Sequence, residues 1–422
     1  MLGVDFNDRL LSVAADGELK GSAPPRLRVR PTALVQAIPA MLDSFREQLA
    51  LAAPAPLWAS VSAGSTGAEL GELLRALRAA KCDVQGFVDS ATVSVAWLRL
   101  SGQSLVIDLH QHWLDLCLVA SAGDVVELRR TARVPVGHID LFDHWLRLAA
   151  QTLVQQTRFD PLHDQRHEQA LRAGLLDLAT QAQRTGQAQY DFEVDGRHLE
   201  LTLSRDQMQQ AAAPWCQALA AALQPLCAAA GDCNLVVPEA LLDLPGIDNA
   251  LATAHAGTLL ALAEGASARA ASYLSATGSE TGAVRSGAVP YLTRVTAALP
   301  PAPDGVCRVV QHGERHFATM ATHIVYRGRA IPIPADGMVL GRADGATGLQ
   351  LPEGIAGLSR RHCTLQRSGD RTQIIDHSRH GSFVDGLRVR GRGFLAAGSV
   401  LRLGSPGIEL PLIALDLTGT QG

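Results

Sequence analysis

The stretch from Gly341 to Gly386 constrains this chain more than any other. It contains Gly341-Arg342, then Ser359-Arg360-Arg361-His362, then Asp376-His377-Ser378-Arg379-His380-Gly381-Ser382-Phe383-Val384-Asp385-Gly386. Short alternating apolar segments and turns separate these groups. Met338-Val339-Leu340 leads into Arg342, and Cys363 and Leu365 alternate with His362, Thr364 and Gln366. Alternation of period two puts one face of a strand in a core and the other in water. Several such strands joined by tight turns predict a sandwich whose strand ends gather on one rim. Guanidinium forks, a hydroxyl and free backbone N–H groups on such a rim suit an anion with several acceptor oxygens. A phosphate on a side chain is such an anion, with about two negative charges and three acceptor oxygens at neutral pH.

The order, residue types and spacing of these groups resemble the forkhead-associated (FHA) domain, a β-sandwich that binds phosphothreonine peptides. The resemblance implies that Arg342 and Ser359 hold the phosphate and that Arg360 helps hold it or contacts the peptide. Gly341 supports the site, and His362 matches a structural histidine that ties the binding loops together. Arg379, His380 and Gly381 match a loop that in the family usually ends Asn-Gly. His380 stands where an asparagine normally grips the peptide backbone, and Asp385 stands where a second asparagine is common. A neutral imidazole offers one donor and one acceptor, which partly replaces the amide. An FHA fold that has lost phosphate binding is the opposing reading; the survival of Arg342, Ser359 and Arg379 favours retained binding.

The 422 residues suffice for two or three domains, and 47% hydrophobic content against 18% charged allows real cores. No apolar run is long enough to predict a membrane span. Met1-Leu2-Gly3-Val4-Asp5 lacks a basic segment followed by an apolar one, so no secretion signal is expected. The formal net charge of −4 argues against general nucleic-acid affinity. Seven cysteines, odd in number and without metal-like spacing, fit a reduced cytoplasmic protein. His110-Gln111-His112 alternates as on a strand face but has no evident third ligand, so no metal is expected there.

Ahead of the rim, strands and helices alternate. Leu2–Ala15 reads as two strands around a polar turn, with a third candidate at Leu27–Arg30 and helical spacing from Ile38 to Leu51. A strand at 56–62 precedes a helix from Gly67 to Ala80 capped by Ser65-Thr66. A strand at 84–87 and a helix at 90–98 follow. The meander 105–136, helices over 139–154 and 163–185, and a hairpin around Asp195-Gly196 come next. Ser204 caps a long helix ending near Ala230, before a strand at 234–237 and helices to about Leu274.

This order resembles the two-lobed actin-like ATPase superfamily, in particular the nucleotide-binding domain of heat-shock chaperones. The likeness rests on Gly3-Val4-Asp5-Phe6, Val88-Asp89-Ser90-Ala91-Thr92, Val106 to Leu116, Gly137 to Asp143, Leu235 to Ile247 and Glu264-Gly265-Ala266. It covers about residues 1–275. Phosphate cradles need close backbone approach, often with φ > 0, which favours glycine. The family's glycines are replaced here by Asn7 in the first phosphate motif, by His110, Gln111 and His112 in the second, and by Pro238-Glu239 in the adenosine motif. Trp113 replaces the following hydroxyl residue. Lysine occurs only at Lys20 and Lys81, and the subdomain that carries the family's catalytic lysine is nearly absent. Asp5, Asp108 and Asp115 remain as a residual nucleotide or metal site, each also readable as a strand-end aspartate held by backbone N–H groups. ATP hydrolysis and a bound cofactor are therefore not expected.

Residues 276–304 are rich in Gly, Ala, Ser, Thr and Pro and read as a linker with one ordered piece around Tyr291-Leu292. The expected organisation is an α/β actin-like domain over 1–275, the linker 276–304, and an all-β FHA sandwich over 305–418. The expected function is a non-enzymatic, phosphothreonine-dependent adaptor in bacterial-type Ser/Thr kinase signalling. Two alternatives are a chaperone-like ATPase regulated by its FHA domain, and an FHA domain that binds its partner without phosphate.

Overall fold

Leu2–Phe6 is a strand because Val4 and Phe6 bury on a sheet while its polar neighbours end it. The computed structural model describes residues 1–23, 56–194, 196–274, 289–296, 299–310, 320–342, 348–352, 354–368, 371–384, 387–389, 392–395 and 397–415. The expected strand at Leu27–Arg30 and helix at Ile38–Leu51 lie outside these residues, as does Asp385. The described third strand is Glu18–Ala23. The chain divides into two units. One comprises Met1–Leu141, Pro214–Leu242 and Ile247–Gly313; the other comprises Phe142–Ala213, Asp243–Gly246 and Glu314–Gly422.

The first unit repeats one sheet topology. Leu2–Phe6, Leu11–Ala15 and Glu18–Ala23 form an antiparallel meander. Pro56–Val61 then returns parallel to Leu2–Phe6, and Asp83–Asp89 parallel to Pro56–Val61. In the second sheet Gly102–Leu109, Leu114–Ala122 and Val125–Val134 form the meander. Cys233–Pro238 returns parallel to Gly102–Leu109, and Leu259–Leu262 parallel to Cys233–Pro238. Parallel returns need crossovers, and the helix Gly67–Ala79 supplies the one between Pro56–Val61 and Asp83–Asp89. The helix Gly67–Ala79 starts at Thr66, whose hydroxyl accepts from the Glu69 N–H while Glu69 reaches back, a capping box. It buries Leu73 and Leu77 on the sheet. Full burial of one such leucine contributes about 1.5–3 kcal/mol. The helix Ser90–Leu98 is buried almost throughout and sits in the core with Trp58, Trp97, Val106 and Val236.

Two expectations are corrected here. Helices were expected up to Leu274, but Leu259–Leu262 is a strand. A strand buried on both faces loses its alternation, so a short Leu/Ala run does not reveal it. The stretch expected as a linker belongs in part to this unit. Tyr291–Leu292 pairs parallel with Asp83–Asp89, Arg294–Thr296 antiparallel with Val125–Val134, and Cys307–Val310 antiparallel with Leu259–Leu262. Leu292, Val295, Leu299 and Val306 bury in its core, which anchors a segment whose composition reads as a spacer. Cys307–Val310 therefore completes a sheet of this unit and does not open the sandwich.

The second unit contains most of the helix His138–Thr157, the helix Gln165–Thr185 and the hairpin Gln187–Val194 with Arg197–Ser204. It also contains a two-sheet sandwich. One sheet orders Arg329–Pro332, His323–Tyr326, Ile408–Ile413, Val400–Leu403, Ser382–Val384 and Leu387–Arg388. The other orders Gly348–Gln350, Met338–Gly341, Cys363–Ser368, Arg371–Asp376 and Arg392–Phe394. Their inner faces meet in a core of Ile324, Met338, Leu340, Leu365, Ile374, Leu401, Leu403 and Leu412. The edge strand Arg392–Phe394 lies against the helix and hairpin: a Cβ on Gly393 would stand 3.1 Å from the Gln181 amide, and Arg392 lies 3.9 Å from Glu200. Covering an edge strand removes a template for unwanted pairing.

Candidate functional site

Three segments converge at one end of the sandwich, after Met338–Gly341, before Cys363–Ser368 and after Arg371–Asp376. The Arg342 N–H donates to the Ser359 carbonyl at 3.2 Å, and the His362 N–H donates to the Leu340 carbonyl at 2.8 Å. The His377 N–H donates to the His362 carbonyl at 2.8 Å, and the Arg379 N–H reaches the Ser359 hydroxyl at 3.4 Å. Gly341 is needed where the first two segments touch. A Cβ there would lie 1.9 Å from the Arg360 carbonyl oxygen and 3.1 Å from the Arg361 Cα.

His362 is fully buried and joins the other two segments. Its Nδ1 accepts from the Ser359 N–H at 3.1 Å, and its Nε2 donates to the Gly381 carbonyl at 3.1 Å. One ring nitrogen accepts and the other donates, so the imidazole is neutral. Burial pushes its pKa down, against the pull of the Gly381 carbonyl, and the charge of nearby His380 lowers it further. Gly381 adopts φ +83°, and its carbonyl also accepts from the Gly404 N–H at 3.0 Å.

Among the described residues, no carboxylate pairs with the arginines of this rim. Arg360, Arg379 and His380 are exposed and Arg342 is half-buried. Among the described residues none of the three arginines forms an ion pair, and the buried Arg342 Nε has no hydrogen-bond partner. The nearby carboxylate, Asp376, instead accepts from the Ser378 N–H at 3.1 Å and the Ser382 hydroxyl at 2.9 Å. Guanidinium groups without an ion pair among the described residues, Arg342 half-buried and the others exposed, gather around a hydroxyl and suit an oxyanion. The structure thus brings Arg342, Ser359, Arg360, Arg379 and His380 to one rim, with Gly341, His362 and Gly381 beneath them.

Residues 338–404 match the FHA domain. The FHA domain is a non-catalytic β-sandwich that binds phosphothreonine-containing proteins, so a phosphopeptide-binding adaptor role in general is supported for this part of the chain. A search of curated proteins finds no match to the chain. No helix among the described residues is long and apolar enough to cross a membrane.

The first unit carries a second polar cluster, where its two meanders meet. Asp108 and Asp115 stand directly opposite each other across adjacent strands. Like charges in that position repel. Each is compensated from a side chain. Asp115, fully buried, is gripped by Arg133 at 2.8 and 2.9 Å, by the Trp113 indole N–H at 3.2 Å and by the Ser62 hydroxyl. Asp108 accepts from the Asn7 amide at 2.8 Å and the Ser90 hydroxyl at 2.9 Å. The expectation of aspartates held by backbone N–H groups is corrected: the donors are side chains.

His110 sits among these acids, 3.1 Å from Asp8, 3.5 Å from Asp108 and 3.7 Å from Asp115, and stacks on Trp113 at 4.9 Å. Burial alone pushes its pKa down, but the Asp108 and Asp8 carboxylates outweigh it and raise it to about 10. Burial likewise pushes Asp108 up, and the charge of His110 outweighs it so that the net shift is downward. Asp5 stands apart from these pairs. Burial, then the Asp108 charge, raise its pKa to about 7.

Asp8, Arg133 and Asn7 were not among the expected site residues. The cross-strand register of Asp115 with Arg133 reveals that pair, and no local pattern does. The glycine positions of the resemblance are filled by residues that bond inward: the Asn7 amide to Asp108, the His110 ring to Asp8, and Gln111 through its backbone N–H to the Asp8 carboxylate and through its side-chain amide to the Asp8 carbonyl. This arrangement does not fit a phosphate chain with its metal ion. Asp108 and Asp115 already have His110 and Arg133 beside them, and side chains stand where the resemblance places glycines. A cleft opens on the cluster itself, lined by Asp5, Asn7, Asp108, Arg9, Glu239 and Gly265 among others.

Proposed function

We propose that this chain is a phosphothreonine-dependent adaptor in kinase signalling, with a non-hydrolysing ATPase-like platform. The observation that carries this reading is the uncompensated set Arg342, Arg360 and Arg379 around Ser359, held by the neutral His362 within the FHA match. In this reading Arg342 and Ser359 hold the phosphate, and Arg360, Arg379 and His380 hold it or the adjoining peptide backbone. His380 supplies one donor and one acceptor in place of an amide. A Ser/Thr kinase acting on the partner would then switch assembly on.

The twice-repeated order of three antiparallel and two parallel strands supports an actin-like ancestry for the first unit. The inward-bonded Asn7, His110 and Gln111 support loss of its catalysis.

The test is a titration of the full chain against a phosphothreonine peptide library with unphosphorylated controls. Phosphate-dependent binding is expected; equal binding of both forms would instead support partner recognition without phosphate. The cleft at Asp5 favours one second reading, a retained nucleotide site. A bound nucleotide at a hundredfold over its Kd adds about 2.7 kcal/mol to stability. No shift of the unfolding temperature with ATP and magnesium is expected, and a saturable shift would establish the second reading.

A further inference from the structure

The basic surface at the rim extends beyond the groups assigned to the phosphate. Arg361 is exposed and follows Arg360 on the same segment. Its charge reaches His377: burial first, and then Arg361, push the pKa of that ring down. Arg388 is exposed beside the third rim segment, with its Nε 2.9 Å from where a Cβ on Gly381 would stand. Neither arginine forms an ion pair among the described residues. With Arg342, Arg360 and Arg379 they place five guanidinium groups around one rim.

One phosphate carries about two negative charges. It satisfies about two guanidinium forks at close range, since each bidentate pair uses two oxygens. Among the described residues, three arginines then remain with no paired anion, on a chain whose formal net charge is −4. The chain is thus acidic overall while its rim is locally basic. Such an arrangement discriminates among partners by charge and steers acidic ones toward the rim.

The geometry points to an acidic phosphopeptide as the partner of this site. Its carboxylates or second phosphate beside the phosphothreonine would meet Arg361 and Arg388. This inference rests on the phosphothreonine reading above and adds the chemistry of the flanking residues. Arg361 and Arg388 act here as specificity-determining residues.

The experiment uses the full chain and fluorescently labelled peptides on one neutral scaffold. One peptide carries phosphothreonine alone. A second adds two acidic residues on each side. A third has the acids and an unmodified threonine. The quantity read is the affinity ratio of the acidic to the neutral phosphopeptide. We expect a ratio of roughly tenfold or more at low salt, since one or two charge-assisted contacts suffice for that. The ratio should shrink at high salt. It should fall toward one in Arg361→Ala with Arg388→Ala, while circular dichroism shows the fold unchanged.

Binding of the neutral phosphopeptide with a ratio near one would overturn this inference and leave the phosphothreonine reading standing. A double variant that keeps the wild-type ratio would overturn it equally. Absence of binding by every phosphopeptide would overturn the underlying reading. If the unphosphorylated acidic peptide or a single-stranded oligonucleotide binds as tightly as the acidic phosphopeptide, the rim is a general polyanion surface, and the inference fails.

Discussion

Arg342→Ala is expected to abolish phosphothreonine-peptide binding and to leave the fold intact. The two halves of this result have separate causes. A guanidinium on a phosphate forms charge-assisted hydrogen bonds, each contributing about 1.5–3 kcal/mol. Loss of two such bonds weakens binding by roughly a hundredfold or more. Stability should change little, because the Arg342 side chain has no ion pair among the described residues and its buried Nε has no partner. Removing a buried donor that lacks a bond relieves a desolvation cost and leaves no new orphan. The Arg342 backbone N–H keeps its bond to the Ser359 carbonyl in the variant. Calorimetry with one phosphopeptide measures the first half, and a urea titration measures the second. A variant that binds with wild-type affinity would remove Arg342 from the site. A variant that unfolds early would show that its role is structural.

The rim was legible in the sequence because its parts lie within some forty residues and each has a distinctive type. Arg342, Ser359, His362 and Gly381 read out directly. What the structure adds is the neutral His362, bridging the Ser359 amide to the Gly381 carbonyl, and the counter-charge deficit. The first unit was legible as a succession of elements, with helix and strand limits shifted by a few residues. Its failures have physical reasons. Leu259–Leu262 is buried as a parallel strand and shows no alternation. Tyr291–Leu292, expected as an ordered piece, and Arg294–Thr296 are short strands recruited to sheet edges from far along the chain, so local composition does not betray which sheets take them. The acidic cluster was half legible. Asp5, Asp108 and Asp115 drew notice as surviving acids, but the partners of the last two come from elsewhere in the chain: Asn7, just after Leu2–Phe6, on Asp108, and Arg133, on Val125–Val134, on Asp115. The tertiary register decides whether those acids await a metal ion or already have their cations.

That distinction sets the effect of His110→Ala. The wild-type imidazole lies between Asp8, Asp108 and Asp115, with one cross-strand neighbour, Arg133, on Asp115 alone. Removing a buried cation from such a group leaves uncompensated buried charge, and about 3–5 kcal/mol of stability should be lost at neutral pH. The pH dependence carries the diagnostic sign. The pKa of His110 in the fold is about 10, above its ordinary value of 6.5. A proton held more tightly by the folded state stabilises it fully below the unfolded pKa and is lost as pH rises through the folded one. The gap between wild type and variant should therefore be widest below about pH 6.5 and narrow steadily toward pH 10. Asp5 and Asp89, both raised to about 7 chiefly by burial, add a decline of stability between about pH 4 and 7 that both proteins share. Urea midpoints from pH 6 to 10 measure the gap. A gap that stays constant or widens with pH would mean that His110 is neutral in the fold, and that Arg133 with the hydroxyl and amide donors alone holds the acids together. A narrowing gap would establish that the unit carries its own buried cation among these acids, the outcome that the proposed platform reading requires.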